Sequence, residues 1–314
     1  MKILVLGAGA VGGYFGGRMA EAGLDVTFLV RPARAELMAK HGLRIRGKSG
    51  DATLRVKCVT AAQVTSDFDV VMLTAKAYDL VGAMDAIAPA MGGRAVAWPL
   101  LNGMSHLGEL DRKFGAAKVL GGVAYISSAL APDGVIQHLN DFHRVVFGPR
   151  SPEQKPLCDA LSEALKGARS PVKCDWAQLD KIEQAMWDKW VMLATMAGMT
   201  CLMRGAVCDI LAAPAGEKLM LQLVGEAAAV AKAEGFPTPD GVMKNYQAMM
   251  TARGSTITAS MLRDVESGGP AEGDHILGAL LARARKHGLA TPLLEIATTH
   301  LEAYAARRRR ESVK

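Results

Sequence analysis

Three glycines near the start of the chain, Gly7, Gly9 and Gly12, constrain the fold more than any other feature. They follow a short apolar run, Lys2-Ile3-Leu4-Val5-Leu6. They open a segment with helical spacing (Val11, Phe15, Met19, Ala22) that ends at Gly23, and a second apolar run over 24–30 comes next. A strand, a glycine-rich turn, a helix and a strand give each glycine its own task. Gly7 permits the tight turn, Gly9 lets backbone approach a pyrophosphate, and Gly12 lets helix and strand pack closely. The helix start adds free N–H groups and the positive end of a dipole. The string Gly7-Ala8-Gly9-Ala10-Val11-Gly12 therefore reads as a dinucleotide-binding loop.

The residue closing the second strand bears on which dinucleotide binds. An Asp or Glu there would accept hydrogen bonds from an adenosine ribose. This chain instead has Val30-Arg31-Pro32-Ala33-Arg34. A guanidinium offers a planar fork of donors to a 2′-phosphate, which a carboxylate would repel. Arg31, with Arg34 as a second donor, points to NADP(H); a solvated arginine before the next helix is the alternative that these residues leave open.

Length and charge narrow the class. The 314 residues suit two domains, each with its own core. The longest uncharged helical run, 190–203, is too short to cross a bilayer and suits a buried helix. With the first strand starting at Lys2, no signal or transit peptide is expected. Five cysteines without a CxxC pair fit reduced thiols in the cytoplasm. The net charge is +6, of which Arg307, Arg308, Arg309, Arg310 and Lys314, less Glu311, account for +4. Charge so concentrated at the end of a helix reads as a solvated run. No aromatic-studded basic strand accompanies it, so neither nucleic acid nor membrane is an expected partner. No metal is implied, because there is no HExxH and no Cys/His cluster at ligand spacing.

Up to about residue 170 strand-like and helix-like segments alternate. Strands are expected over 2–6, 24–30, 54–59, 69–74, 95–100, 118–120, 123–129, 135–139 and 144–147. Helices are expected over 10–22, 33–41, 80–88 and 106–113. This predicts a parallel sheet covered on both faces, with the closely connected later strands as an antiparallel extension. Beyond Cys174 the strand signals stop. Helical spacing runs over 176–210, 216–233, 242–250, 257–265, 273–287 and 293–309, with Thr291-Pro292 as a helix start. The fold class is α/β. A doubly wound Rossmann-type sheet occupies 1–172, and an all-helical domain for substrate and dimerisation occupies 173–314.

Reducing a ketone requires a proton donor for the developing alkoxide and groups that hold the substrate's polar ends. Lys189, in Trp187-Asp188-Lys189-Trp190, borders the most apolar helix of the chain. Desolvation there would lower its pKa, whereas a snorkelling lysine would keep its head in water. Asn102, in Leu101-Asn102-Gly103, follows a strand expected to end at the cofactor crevice, and a plain Asn-Gly turn fits it equally. Glu272 and Asp274 open a helix, where carboxylates are ordinary dipole partners.

Taken in order, these segments resemble the ketopantoate reductase (2-dehydropantoate 2-reductase) family. The matching residues are Gly7 to Gly13, Thr74-Ala75-Lys76-Ala77, Asn102-Gly103, Trp187-Asp188-Lys189, Ser260-Met261-Leu262-Arg263-Asp264, Glu272 and Ile276-Leu277-Gly278. The resemblance implies a Rossmann domain, a helical domain and an active site in the cleft. It implies that Lys189 protonates the substrate carbonyl as hydride arrives from NADPH, with Glu272 as its acidic partner. By the same resemblance Ser260 and Asn102 contact substrate, and Lys76 lies at the adenosine end of the cofactor near Arg31.

The chain departs from that family at two positions. Asparagines four and eight residues after the lysine, on the same helix face, are typical of the family; here they are Leu193 and Ala197. The resemblance thus implies reduction of a 2-oxo acid, ketopantoate of pantothenate biosynthesis first among them. Two other readings stay open: a relative acting on a more apolar 2-oxo acid, and a weakly catalytic NADP(H)-binding regulator. A homodimer would suit an apolar helical second domain.

Overall fold

The computed structural model describes residues 1–169 and 171–312, so Lys314 of the basic C-terminal run lies outside the described residues. The chain divides into two compact units, 1–101 with 106–183, and 102–105 with 184–314.

In the first unit the elements run β1 (Lys2–Leu6), α1 (Ala10–Glu21), β2 (Asp25–Leu29), α2 (Pro32–His41), β3 (Leu43–Gly47), β4 (Ala52–Leu54), β5 (Lys57–Val59) and β6 (Val70–Leu73). They continue with α3 (Leu80–Met91), β7 (Val96–Pro99), α4 (Ser105–Phe114), β8 (Gly121–Leu130), β9 (Ile136–Gly148), α5 (Lys155–Gly167) and β10 (Asp175–Gln178). One sheet is wholly parallel, in the order β5-β2-β1-β6-β7. The chain leaves β1 towards β2 on one side and reaches β6 on the other. The carboxyl ends of β1, β2 and β6 therefore meet where the strand order reverses, which is where such sheets bind ligands. Their near-continuous apolar runs, such as Val70-Val71-Met72-Leu73 with every side chain buried, reflect cover on both faces.

The later strands do not extend this sheet antiparallel, as the sequence suggested. They form a second, mixed sheet in the order β10-β9-β3-β4, with β8 hydrogen-bonded to β9. β8 and β9 are an antiparallel pair, but β9 also runs parallel to β3 through Ile136 to His138 and to β10 through Arg144 to Phe147. The expected strand over 54–59 is split between the sheets: β4 pairs with β3 and β5 with β2. Alternation along 52–59 is the same in either sheet, so the local pattern could not reveal the switch of partner. The expected strand over 118–120 reduces to a single bridge between Val119 and Ala97. Trp98 ties the layers together, its ring centroid 5.1 Å from that of Phe147 and 6.3 Å from that of Trp176.

Strand structure also persists beyond Cys174 in β10, where a helix was expected from residue 176. Pairing on β9 holds this segment in the first unit, and the division falls between Glu183 and Gln184, later than 172/173.

The second unit is helical: α6 (Ile182–Met203), α7 (Val207–Ala212), α8 (Gly216–Ala233), α9 (Asp240–Met250), α10 (Ser260–Glu266), α11 (Ala279–Lys286) and α12 (Pro292–Ser312). A π-helical turn, Asp274–Gly278, leads into α11. The core of this unit includes Val191, Ala194 and Met199 of α6, Leu223 and Ala227 of α8, and Leu294 of α12, all fully buried. Thr195, Thr200 and Thr298 are also buried, and each hydroxyl donates to the carbonyl four residues earlier, at 2.9, 2.7 and 2.7 Å. Their polar atoms thus enter the core already satisfied. The Glu226 carboxylate accepts the N–H groups of Leu293 and Leu294 at 3.3 and 2.8 Å, anchoring the start of α12 on α8.

Candidate active site

In the first unit, the glycine loop has the geometry a dinucleotide requires. Gly7 adopts φ +91°, which the tight turn between β1 and α1 requires, and its N–H donates to the Leu29 carbonyl at 2.9 Å, holding the start of the turn to the end of β2. A Cβ on Gly12 would lie 2.2 Å from Thr74 Oγ1 and 2.4 Å from the Gly7 carbonyl oxygen, so no larger residue fits. Thr74 itself donates to the Leu6 carbonyl at 2.8 Å, knitting β6 to the end of β1. Gly9 is different: a Cβ there would meet nothing within 4 Å. It caps α1 without any side-chain hydrogen bond, and the helix has no acidic residue in its first turn. Gly12 thus serves packing, while Gly9 keeps backbone open to a ligand at the positive end of a helix. Ala8 is buried, and Ala10 and Val11 form the first turn of α1.

Arg31 lies between β2 and α2 with its side chain 85% exposed, 3.5 Å from the Asp79 carboxylate. That ion pair sets the short turn Ala77–Asp79, which follows Lys76 in the loop after β6, beside Arg31 through Asp79. Arg34 has another task. Its terminal nitrogens donate to the Ala8 and Gly134 carbonyls at 2.9 and 3.0 Å, so it clamps the glycine loop to the β8–β9 turn. Sequence reading missed this clamp because both acceptors are backbone atoms.

In the second unit, Lys189 lies on α6 and its ammonium donates to Asn102 Oδ1 at 3.0 Å. Burial drives the Lys189 pKa down from 10.5 to about 8, against the opposing attraction of the Glu272 carboxylate. Glu272 is itself 7% exposed. Lys189, Asn102 and Glu272 are therefore drawn together, and the lysine is not a snorkelling side chain with its head in bulk water. Asn102 owes its place to Gly103, which turns at φ +74°. A Cβ on Gly103 would lie 3.1 Å from the His275 carbonyl oxygen, so the Asn-Gly turn rests directly on the π turn.

Leu193 follows Lys189 by one turn of α6 and is half-buried, whereas Ala197 has no exposure at all. Ser260 is the exposed first residue of α10.

A parallel nucleotide sheet with this loop, joined to a helical unit carrying a partly buried lysine, defines a nicotinamide-dependent oxidoreductase. Comparison with known proteins names the family. Residues 3–152 match the family model "Ketopantoate reductase PanE/ApbA", and 181–305 match "Ketopantoate reductase PanE/ApbA C terminal". The chain belongs to the ketopantoate reductase family. It is 39% identical to "Uncharacterized oxidoreductase YkpB" of Bacillus subtilis, over 98% of this chain and 99% of that one. The solved structure of 2-dehydropantoate 2-reductase from Geobacter metallireducens, 28% identical, superposes with a TM-score of 0.86 over 96% of this chain and 99% of its own. D-mandelate dehydrogenase, solved with NADH and anilino(oxo)acetate, shares the fold at 20% identity, with a TM-score of 0.87 over 98% of this chain and all of that one.

Proposed function

We propose that this protein reduces a 2-oxo acid to the 2-hydroxy acid with NADPH, converting 2-dehydropantoate to pantoate in pantothenate biosynthesis. The observation carrying this reading is Lys189, partly desolvated, with a pKa near 8 and its Nζ 3.0 Å from Asn102. The bound dinucleotide supplies the hydride. Lys189 gives its proton to the substrate carbonyl oxygen as negative charge develops there, then regains one from solvent. A pKa closer to neutrality makes it a better donor than an ordinary lysine. Asn102 aims the ammonium, Glu272 favours its charged form, and Ser260 contacts substrate. Gly7 to Gly12 receive the pyrophosphate, and Arg31 with Lys76 receives the adenosine 2′-phosphate. The reading places the enzyme in the cytoplasm, working on a small-molecule substrate as a homodimer. A ketopantoate reductase from Staphylococcus aureus is described as dimeric in its solved structure.

A second reading of the substrate rests on Leu193, because Ala197, expected from the sequence to face substrate, is fully buried and presents no surface to a ligand. The Leu193 side chain cannot hydrogen-bond, so a polar substrate group against it would lose its water unreplaced, at about 1–3 kcal/mol. An alkyl or aryl group would gain about 25 cal/mol per Å² buried. A panel of 2-oxo acids, followed by NADPH absorbance, separates the readings. Highest kcat/KM on ketopantoate supports the first; preference for a larger apolar side chain, shifted towards ketopantoate by Leu193→Asn, supports the second. A cofactor-binding protein that turns over no member of the panel is a regulator. NADPH is expected to bind at least about tenfold tighter than NADH, with Arg31→Ala erasing most of the gap. Equal affinity in the parent protein would overturn the cofactor assignment.

A further inference from the structure

Beside Lys189 on α6, Trp190 is 1% exposed, and its indole N–H donates to the Ile276 carbonyl at 2.9 Å. Ile276 sits inside the π-helical turn Asp274–Gly278, and its own N–H bonds the Glu272 carbonyl at 3.0 Å. The same turn supports Gly103 through the His275 carbonyl, and the missing Gly103 Cβ would also approach Trp190 Nε1 to 3.7 Å. One indole nitrogen therefore lies where three segments converge: α6 with Lys189, the 102–103 turn with Asn102, and the π turn preceded by Glu272. A π turn leaves carbonyls out of the regular helical ladder, and an outside donor that claims one selects its conformation.

The ring is held from its other sides. Its centroid is 4.9 Å from that of Trp187, which in turn stacks on Phe236 at 5.7 Å. The Arg283 guanidinium lies 5.0 Å over the Trp190 ring and pairs with Glu234 at 3.7 Å. The indole is thus a fixed donor to the π turn.

We propose that Trp190 is a positioning residue for the reductase step: by holding the Ile276 carbonyl it keeps the π turn closed, and so keeps Asn102 and Glu272 registered on the Lys189 ammonium. This rests on the reading of Lys189 as proton donor.

Trp190→Phe keeps the stacked ring and deletes the N–H. Its kcat is expected to fall about tenfold, with KM and NADPH affinity within about twofold, as for loss of an interaction made in the transition state. Reductive ¹³C-methylation with NMR, the Lys189 signal being assigned by its loss in Lys189→Arg, reads that amine's titration without turnover. Loosening the turn admits water and also weakens the Glu272 attraction; because burial is the larger of the two influences on Lys189, its pKa should move up towards that of an ordinary lysine. Gly103→Ala, which pushes on the same turn from the other side, should reproduce both changes and serves if Trp190→Phe fails to fold. A lower melting temperature with parental kcat and an unmoved titration, in whichever variant folds, would overturn the proposal and leave Trp190 a packing residue. Parental turnover in Lys189→Met would instead remove the catalytic reading, and the titration shift would still report on positioning.

Discussion

Lys189→Met should make the protein more stable near neutral pH while lowering kcat by roughly a hundredfold, the usual cost of losing a general acid. The Lys189 pKa is lowered from 10.5 to about 8, mainly by burial. One pKa unit corresponds to about 1.4 kcal/mol, so holding this ammonium in the fold near pH 7 costs up to about 3 kcal/mol. That is an upper bound, since the side chain keeps some contact with solvent. Methionine fills a similar volume without charge but forfeits the hydrogen bond to Asn102, worth about 1 kcal/mol. The net expectation is a gain of about 2 kcal/mol near pH 7. Its pH dependence is the sharper test. The folded-state pKa lies below the unfolded one, so between about 8 and 10.5 the unfolded chain binds more protons. Parental stability therefore rises with pH across that window as the penalty is relieved. The advantage of the variant should shrink to near zero at about pH 9.5. Urea unfolding of both proteins near pH 7 and near pH 9.5 measures this. A variant no more stable than the parent at pH 7, or a gain that does not change with pH, would refute desolvation as the source of the lysine's reactivity.

The glycine loop offers a contrast between two alanine substitutions. Gly9→Ala meets nothing within 4 Å and should leave the melting temperature unchanged while abolishing tight NADPH binding by calorimetry. Gly12→Ala drives a methyl into Thr74 and the Gly7 carbonyl, so it should destabilise the fold by roughly 2 kcal/mol or more even without cofactor. Acid sensitivity is expected from His143, whose Nδ1 lies 2.6 Å from the Tyr14 hydroxyl and whose pKa is lowered by burial and by stacked His138. The unfolded chain then binds the extra proton below about 6.5, so stability should fall as pH drops through that value, with a shallower slope in His143→Gln by chemical unfolding. Asp79→Asn, which releases Arg31 from its ion pair and removes a negative charge beside it, should tighten NADPH binding several-fold and leave NADH nearly unchanged.

Local chemistry determined much of this protein. Glycine spacing after an apolar run defined the loop, because only that residue adopts φ +91° at Gly7 and yields the space at Gly12. Helical periodicity marked 216–233 to the residue, because a stripe buried on one face repeats every turn wherever the helix packs. What tertiary structure alone decided is partnership between distant segments. Nothing local tells β4 and β5, two residues apart in the chain, to join different sheets, since strand pairing is satisfied by backbone that every residue carries. The same holds for Arg34, whose acceptors are the carbonyls of Ala8 and Gly134. At the candidate active site the resemblance grouped Lys189, Asn102 and Glu272, but no local pattern in the sequence shows which atoms meet, such as the Lys189 ammonium on Asn102 Oδ1. Around them stand the π turn, the left-handed turn at Gly103 and the indole of Trp190, segments far apart in the chain. A pKa near 8 belongs to that assembled environment, because desolvation is a property of what surrounds a side chain and not of the residue itself.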